Sequence, residues 1–347
     1  MGGAVGRTEA EKTPSRKTAP GPRTPRALGQ AADAFLRRRE ATILVVAIGL
    51  LVYFQSARSA FLSHDNLVNI TQGTAPYAIV AVGEVLLLVS GEIDLSAGMV
   101  FTLSPFLMHY LIDYYGMYPI LAIVVALLAG AAIGLVNGAV TVLLRVPSFV
   151  TTLGTLFLVQ GITLTTSHAY PAEIPPAAQG LAGWFGHADW SELIWCLAIV
   201  AFFHIVLIRT RWGLHTVAVG GNLLGASEAG IKVARIKVGN FMVTGALAAF
   251  AGILEAFRTS TIDPSSGGTG AMFTAVSAAV IGGTALAGGS GTVIGALLGA
   301  LVLAELQNGF NLIGISANPF NIILGAAILV SMILNVHLAR LRRAGRT

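Results

Sequence analysis

The sequence predicts an all-α integral membrane protein, and three observations lead to this fold class. The mean hydropathy is +0.77 and only 11% of the residues are charged, whereas average soluble chains carry roughly 25% charged residues. Long runs of Leu, Ile, Val, Ala and Gly recur along the chain. Most Lys and Arg residues lie outside these runs. The chain is therefore expected to cross a lipid bilayer several times.

About ten apolar stretches are candidate transmembrane helices, because a helix needs about 20 mostly apolar residues to cross the hydrocarbon layer. The stretches lie at roughly 41–57, 74–90, 96–115, 118–143, 148–167, 193–208, 239–257, 271–287, 292–313 and 317–337. The first, second and sixth are short. A polar turn, Gly91 to Ser96, separates the second from the third.

The distribution of Lys and Arg predicts the orientation of these spans. Of the 21 basic residues, nine lie in 1–40, five in 209–237 and four in 340–346. Basic residues flanking membrane helices stay in the cytoplasm, and ten spans place all three clusters and Arg145 on that side. Arg58 and Arg258 are the exceptions and fall outside. Both termini are thus predicted to be cytoplasmic.

The same pattern divides the chain into three parts. Residues 1–40 form a disordered basic cytoplasmic tail, since they contain too few apolar residues to pack. Residues 41–338 form the transmembrane domain, which carries a cytoplasmic loop at 209–238, and residues 339–347 form a second basic tail. The first tail holds the whole excess positive charge, so the net charge does not indicate nucleic-acid binding. The outer loop 168–192 holds Trp184 and Trp190, which are either interfacial anchors or a docking surface.

A faint internal echo predicts two inverted five-helix repeats. The glycine pair Gly130 and Gly134 in the fourth span is matched by Gly295 and Gly299 in the ninth. A repeated unit of five spans must invert, and inverted repeats are common in membrane transporters. Chance similarity between glycine-rich helices is the alternative explanation.

No motif in the chain predicts catalysis or a cofactor. The glycine-rich stretch Gly282 to Gly291 lacks the Gly-Lys-Ser/Thr ending of a nucleotide-binding loop. Cys196 is the single cysteine, and no metal-ligand cluster is present. The chain is therefore predicted not to be an enzyme, to bind no cofactor or metal, and to have no catalytic residue.

Intramembrane carboxylates are the most informative polar residues, because they are rare and by default suggest function. They are Glu84, Glu92, Asp94, Glu255 and Glu305. Few basic residues are near them in sequence, so we expect each to meet backbone N–H groups, Ser, Thr or Asn side chains, or water. Within the turn, either Asp94 or Ser96 caps the third span, or the turn lies near a translocation path or its inner gate.

Other polar residues have the same two explanations. Glu305 and Asn308 share one face of the ninth span, and Gln160, Thr151 and Thr155 add polarity to the fifth. They either line a water-filled path for a polar solute or form hydrogen bonds between helices.

The cytoplasmic loop predicts a short capped helix. Asn222 suits an N-cap and Gly230 a position just after the C-terminus, with about two turns between them. This helix either rests on lipid headgroups or inserts into a groove on a cytoplasmic partner.

Several motifs follow one another in a familiar order. They are Gly91–Gly98, Asn137-Gly138, Val146–Thr155, Gly221–Ile231, Ala279–Gly283 and Gly288–Gly291. With them, the chain resembles the membrane permease subunit of bacterial ABC-type sugar importers, the ribose, xylose and galactose group, over residues 62–335. It departs from the usual Gly-Gly-Ile-Asp at Glu92, which adds a carboxylate.

The resemblance implies a permease subunit of an ATP-driven importer that passes a monosaccharide or similar small polar solute inward across the bacterial plasma (inner) membrane. It implies an ABC ATPase that binds the ATP, an extracytoplasmic sugar-binding protein and a second permease copy, most simply an identical chain. The loop helix becomes the coupling helix that contacts the ATPase, through Asn222, Gly225, Ala226, Glu228 and Gly230. Candidate pathway or gate residues are Glu92, Asp94, Ser96, Asn137, Phe149, Thr152, Gln160, Glu305 and Asn308.

Two other interpretations stay open at this point. An ion-coupled secondary transporter or channel would use Glu84, Glu255 or Glu305 as proton or cation sites and would need no partner. A structural membrane scaffold accounts for neither the capped helix nor the polar intramembrane faces.

Overall fold

The computed structural model describes residues 39–315 except 187, together with the isolated residues 2, 3, 322, 325, 326, 329, 330 and 333. The tail predicted at 1–40, the tenth span predicted at 317–337 and the tail predicted at 339–347 lie almost wholly outside the described residues. Their predictions are therefore not tested by the structure.

The described chain is almost entirely helical. Twelve α-helices are α1 (Arg39–Ala57), α2 (His64–Val89), α3 (Ala97–Asp113), α4 (Pro119–Leu143), α5 (Ser148–Ser167), α6 (Ala182–Phe185), α7 (Ser191–Arg209), α8 (Arg211–Gly221), α9 (Leu223–Glu228), α10 (Val233–Thr259), α11 (Gly268–Ile281) and α12 (Val293–Leu312) within the described residues. Short 3-10 helices cover Ser59–Leu62 and Pro176–Leu181. Strands β1 (Ala172–Glu173) and β2 (Thr261–Ile262) pair antiparallel, with Ala172 opposite Ile262.

Seven helices of the described part are long and apolar enough to cross a membrane, namely α1, α2, α4, α5, α7, α10 and α12. Helices α3 and α11 are shorter, with 17 and 14 residues. Together these nine helices overlap the first nine predicted spans one to one. The prediction of an all-α, multi-pass membrane protein is confirmed, whereas the count of ten stays a prediction.

Three predicted span boundaries are wrong by six residues or more, one of them the beginning of the seventh span, at Val233 rather than near residue 239. The second span begins at His64 rather than near residue 74, and it has 26 residues with Pro76 inside the helix. Its first turns contain Asp65, Asn66 and Asn69, which lower the hydropathy without breaking the helix. The eighth span ends at Ile281 rather than near residue 287, because the glycines that follow turn the chain.

Helices α2 and α10 form the centre of the bundle. They pack against each other; α10 also packs against α3 and α4, and α2 also packs against α11 and α12. In their most apolar 18-residue windows, 83% of the α2 residues and 72% of the α10 residues are buried, compared with 22% for α1 and α5. The outer helices α1, α4, α5 and α7 expose large apolar side chains such as Val52, Leu128 and Phe157, as expected for surfaces that face lipid.

The two glycine pairs that form the sequence echo do not make equivalent contacts in the structure. Gly130 and Gly134 of α4 approach the backbone of α10, where added Cβ atoms would lie 2.5 Å and 2.2 Å from carbonyl oxygens. Gly295 and Gly299 pack against the end of α11 at Gly282 and Ala278. Both pairs allow close helix approach, but they face non-equivalent helices.

The connections between helices gather at two ends of the bundle. We call the segments 90–96, 144–147, 210–232 and 282–292 the basic end, because Arg145, Arg209, Arg211, Lys232, Arg235 and Lys237 lie in or next to them. The opposite end comprises 58–63, 114–118, 168–190 and 260–267. His64 contacts Asp189 there at 3.3 Å, and β1 pairs with β2. Arg58 and Arg258 lie at this opposite end, so the predicted alternation of connections agrees with the described contacts.

Candidate functional site

The turn between α2 and α3 holds a fully bonded polar network. Asp94 Oδ1 accepts hydrogen bonds from the Ser96 N–H group at 2.8 Å and the Ser96 hydroxyl at 2.6 Å. The Asn137 side-chain amide of α4 donates to both Asp94 oxygens at 3.3 Å and to Ser96 Oγ at 2.9 Å. The Thr155 hydroxyl of α5 donates to Asn137 Oδ1 at 2.6 Å. The network therefore joins the turn to two membrane helices.

This network is packed inside the subunit. Asp94, Ser96 and Asn137 are each at most 1% exposed. Of the two candidate caps of α3, Asp94 accepts a hydrogen bond from the Ser96 N–H group, whereas the Ser96 side chain accepts none from the first N–H groups of the helix. Because buried polar groups are stable only when hydrogen-bonded, these contacts brace the turn in the conformation described and do not line an open path.

Glu92 ties the same turn to α10. Its carboxylate forms an ion pair with the Lys237 ammonium, and the two side chains are only 11% and 13% exposed. The expectation that each intramembrane carboxylate meets backbone N–H groups, Ser, Thr or Asn side chains, or water is therefore wrong for Glu92. It is also wrong for Glu255, which pairs with Arg258. Glu84 behaves closer to expectation, because its Oε2 lies 3.5 Å from the Asp94 backbone nitrogen.

The predicted capped helix of the basic end is α9, and its predicted caps are confirmed. Asn222 Oδ1 accepts the Gly225 N–H group at 2.9 Å. At the other end, Gly230 has φ +81°, and the Ile231 N–H group donates to the Ala226 carbonyl at 3.0 Å. This pair of features is a Schellman motif, which favours glycine because of its left-handed backbone.

One side of α9 is anchored and the other is free within the described chain. Ala226 is 5% exposed and packs with Val219 of α8 and Ile236 of α10. Leu223 and Leu224 are 51% and 69% exposed, and Glu228 is exposed as well. The helix thus presents apolar side chains and a carboxylate outward from a fixed base.

Helix α8 connects α9 to the end of α2. A Cβ atom added at Gly220 would lie 1.8 Å from the Val89 carbonyl oxygen, so only glycine permits this contact. The same carbonyl accepts the Gly289 N–H group at 2.8 Å. Val89 directly precedes the Ser90–Ser96 turn. The segment that carries α9 is therefore in backbone contact with the chain that leads into the Asp94 network.

A second connection runs through Asn240 of α10. Its Oδ1 accepts the Trp212 indole N–H group of α8 at 2.8 Å, and its amide donates to the Leu86 carbonyl of α2 at 3.2 Å. Asn240 is fully buried. This one side chain on α10 therefore forms hydrogen bonds to both α8 and α2.

The other predicted pathway residues are not hydrogen-bonded to the network in the part of the chain that is described. Phe149 is 56% exposed on the outer surface, and the Thr152 hydroxyl donates within its own helix to Ser148 at 2.8 Å. Gln160 is half-buried. Glu305 Oε2 and Asn308 Oδ1 are buried and have no hydrogen-bond partner among the described residues.

The opposite end contains a charged cluster that sequence reasoning missed in part. Arg258 Nε donates to Glu255 Oε2 at 2.8 Å and lies 3.9 Å from Glu192 Oε1. Glu192 is 1% exposed and was not singled out. The spacing of three between Glu255 and Arg258 on one helix was a usable signal for their pair. In the described residues, no group of three His, Cys, Asp or Glu side chains suits a metal ion.

Comparison with known proteins identifies the family. Residues 66–332 match the family described as "Branched-chain amino acid transport system / permease component". The xylose/arabinose import permease protein of Sulfolobus acidocaldarius is 38% identical over 88% of this chain and 87% of its own length. The ribose import permease protein of Escherichia coli is 34% identical, over 84% and 92%. The autoinducer 2 import system permease protein of Escherichia coli is 32% identical, over 85% and 86%.

No solved structure matches the chain. The family match covers well over half of the sequence, and these relatives align with nearly their whole length. The chain is a membrane permease that belongs to the family of branched-chain amino acid transport system / permease components.

Proposed function

We propose that this chain is the permease subunit of an ATP-driven importer for a monosaccharide or a similar small polar solute. The observation that carries the proposal is the identity of 38% and 34% to permeases named for import of xylose/arabinose and of ribose. The relative named for autoinducer 2 import is the reason for keeping the solute class wider than sugars.

The ATPase is proposed to dock on α9. An exposed helix with an apolar side fits a groove on a partner, and Leu223, Leu224 and Glu228 supply such a side. Hydrolysis of ATP then belongs to the partner, and this chain supplies no cofactor site. The anchoring of Ala226 supports this role, because a docking helix must transmit force to its own subunit.

The transmission route is proposed to run from α9 through α8 to the turn. Displacement of α8 moves Gly220 against the Val89 carbonyl, and Val89 leads into the braced turn that holds Asp94. Backbone contacts of this kind have little freedom to absorb a movement. In this proposal the Asp94, Ser96 and Asn137 network is the inner gate that changes arrangement, and transport proceeds by alternation between two states.

The membrane arrangement is proposed to be ten spans in two inverted repeats. In a ten-span count α2 and α10 are the second and seventh spans. The seventh packs against the third and fourth, and the second packs against the eighth and ninth. A two-fold axis between five-helix units exchanges partners in this way, which supports the proposal independently of the glycine echo. The basic end and both termini are proposed to face the cytoplasm.

The opposite end is proposed to receive an external solute-binding protein. Aromatic side chains are exposed there, among them Tyr114, Tyr115, Tyr118, Tyr170 and Trp184, each at least 69% exposed. Aromatic residues are enriched in protein interfaces. A second permease copy, identical in the simplest case, completes the proposed transporter.

The ion-coupled alternative loses one of its three candidate sites. Glu255 is held by Arg258 and is not a free proton or cation site. No relative named above carries a name for ion-driven transport, so we do not propose this function.

The decisive experiment is an affinity pull-down of the full chain from its native membrane, with mass spectrometry of the recovered proteins. We expect an ABC ATPase with the unaltered chain and its loss with Leu224→Asp/Glu228→Lys. The matched control is Ser227→Ala, also exposed on α9. Solute uptake by the double variant should fall at least about tenfold, while its thermal unfolding in detergent stays unchanged. Normal uptake by the double variant contradicts the docking role.

A further inference from the structure

A basic pocket lies beside α9 at the basic end. It has a volume of about 300 Å³ and sits between α8 and the beginning of α10. Its lining residues are Arg211, Trp212, His215, Ala229, Gly230, Ile231, Lys232, Arg235 and Ile236. The pocket is outside the hydrogen-bonded network of the turn, and the importer mechanism proposed above assigns no role to its three cations, Arg211, Lys232 and Arg235.

The charge of this pocket is not neutralised by the described chain. Arg211, Lys232 and Arg235 are all exposed, and no carboxylate is among the lining residues. None of the three cations forms an ion pair with any described residue. Lys237, two positions after Arg235 on α10, has Glu92 as its partner. Three cations around a concave space form a site for an anion, and guanidinium groups bind phosphate oxygens in a bidentate manner.

The apolar surface of α7, which ends two residues before the pocket residue Arg211, favours a lipid as the source of that anion. Helix α7 exposes Phe202, Ile205 and Ile208 toward its end at Arg209, and Leu214 of α8 is 60% exposed. These apolar side chains suit acyl chains. The Trp212 indole lines the pocket itself, and Trp is enriched at the depth of lipid headgroups.

We propose that this basic pocket binds the phosphate group of an anionic phospholipid from the leaflet at the basic end, with the acyl chains along α7. Basic pockets between membrane helices bind anionic headgroups in this way. The proposal does not require the ATPase to dock on α9. It depends on the chain being embedded in a membrane, which the family and the apolar helices establish.

The test is native mass spectrometry of the full chain with phosphatidylglycerol and with phosphatidylcholine of the same acyl chains. Arg211→Gln/Arg235→Gln removes two charges from the pocket. Arg58→Gln/Arg145→Gln removes two exposed charges elsewhere and serves as the matched control. Since each basic residue near an anionic surface contributes about a fivefold change in affinity, the pocket variant should bind phosphatidylglycerol about 30-fold more weakly. Phosphatidylcholine binding should change little.

Further variants and competitors separate the outcomes. Arg211→Lys/Arg235→Lys keeps the charge, so it should retain most of the phosphatidylglycerol binding, and its retention shows that the Gln variant did not merely misfold. Equal phosphatidylglycerol affinity in the pocket and control variants overturns the proposal. Displacement of the lipid by millimolar inorganic phosphate overturns it in favour of a free anion. Unchanged lipid binding with loss of the co-purified ATPase assigns the pocket to the partner protein and also overturns it.

Discussion

The two ends of the bundle differ in how their charged side chains are paired. At the basic end, Lys237 has one carboxylate partner, Glu92, among the described residues. At the opposite end, Arg258 lies near two carboxylates, Glu255 and Glu192. Backbone groups meet closely at both ends, as Gly220 does at the Val89 carbonyl and Gly186 does at α10, whereas long charged side chains change rotamer readily.

This difference indicates where movement is transmitted and where it is absorbed. In the proposed mechanism α8 carries a displacement from α9 into the membrane, and a rigid connection suits that role. Arg258 has two carboxylates within reach and keeps one partner if the other moves. The predictions below test this contrast between a tightly specified end and a redundant one.

The largest expected effect follows from breaking the Glu92–Lys237 pair. Lys237→Met leaves the Glu92 carboxylate, only 11% exposed, without its cation. An unpaired buried charge of this kind lowers the free energy of unfolding by about 3–5 kcal/mol. Chemical denaturation in detergent micelles measures the change.

The double variant Glu92→Gln/Lys237→Met is the control for that result. It removes both charges and should recover most of the lost stability, because the penalty comes from the charge left behind. Equal destabilisation of the single and double variants would show that Lys237 matters for packing rather than for its charge.

Gly220→Ala tests the backbone contact of the basic end. The added Cβ would lie 1.8 Å from the Val89 carbonyl oxygen, so α8 or α2 must move. We expect destabilisation near the upper end of the range for overpacking, about 3 kcal/mol, and loss of solute uptake.

Its neighbour Gly221 supplies a matched control. A Cβ at Gly221 would have no neighbour nearer than 3.8 Å, and alanine is the better helix former. Gly221→Ala should therefore be neutral or slightly stabilising and should leave uptake intact. If both variants lose uptake without loss of stability, the region acts through flexibility and the transmission route is wrong.

Asn137→Leu tests the brace around the turn with a side chain of similar size. The substitution removes the amide donor to Asp94 and the acceptor for Thr155, leaving buried polar groups short of partners. We expect a loss of about 2 kcal/mol, measured by denaturation, with a decrease in uptake. Thr152→Val is the control, because the Thr152 hydroxyl bonds only within its helix. A larger loss for Thr152→Val would remove the network from its assigned role.

Local features could be predicted from the sequence because they depend on residues close together in the chain. The caps of α9 join Asn222 to Gly225 and Ala226 to Ile231, at most five positions apart. The apolar runs likewise predicted nine helices within the described residues. The beginning of α2 was missed, because Asp65, Asn66 and Asn69 lower its hydropathy; of these three only Asn66 is buried, and Asp65 and Asn69 are exposed.

Long-range contacts could not be predicted in the same way. Lys237 is 145 positions from Glu92, and nothing in either local sequence specifies the other. Arg258 illustrates the same limit, since its spacing to Glu255 is a helical signal but its approach to Glu192 depends on how α7 packs. The structure brings only some of the pathway candidates together. Asp94, Ser96 and Asn137 are in contact, whereas Phe149 lies on the surface.

Glu255→Gln is the smallest predicted change and the direct counterpart of Glu92→Gln. Arg258 is 31% exposed and keeps the Glu192 carboxylate at 3.9 Å, so losing Glu255 does not leave a buried cation alone. Arg258 and Glu255 are 31% and 19% exposed, so solvent screens their pair more than it screens Glu92 and Lys237. We therefore expect destabilisation of about 1 kcal/mol, against a clearly larger loss for Glu92→Gln under the same denaturation conditions. Similar losses for the two substitutions would mean that the opposite end is as tightly specified as the basic end. A rigid opposite end would also transmit displacement, and the observed rigidity would then no longer favour the proposed route through α8 over other routes.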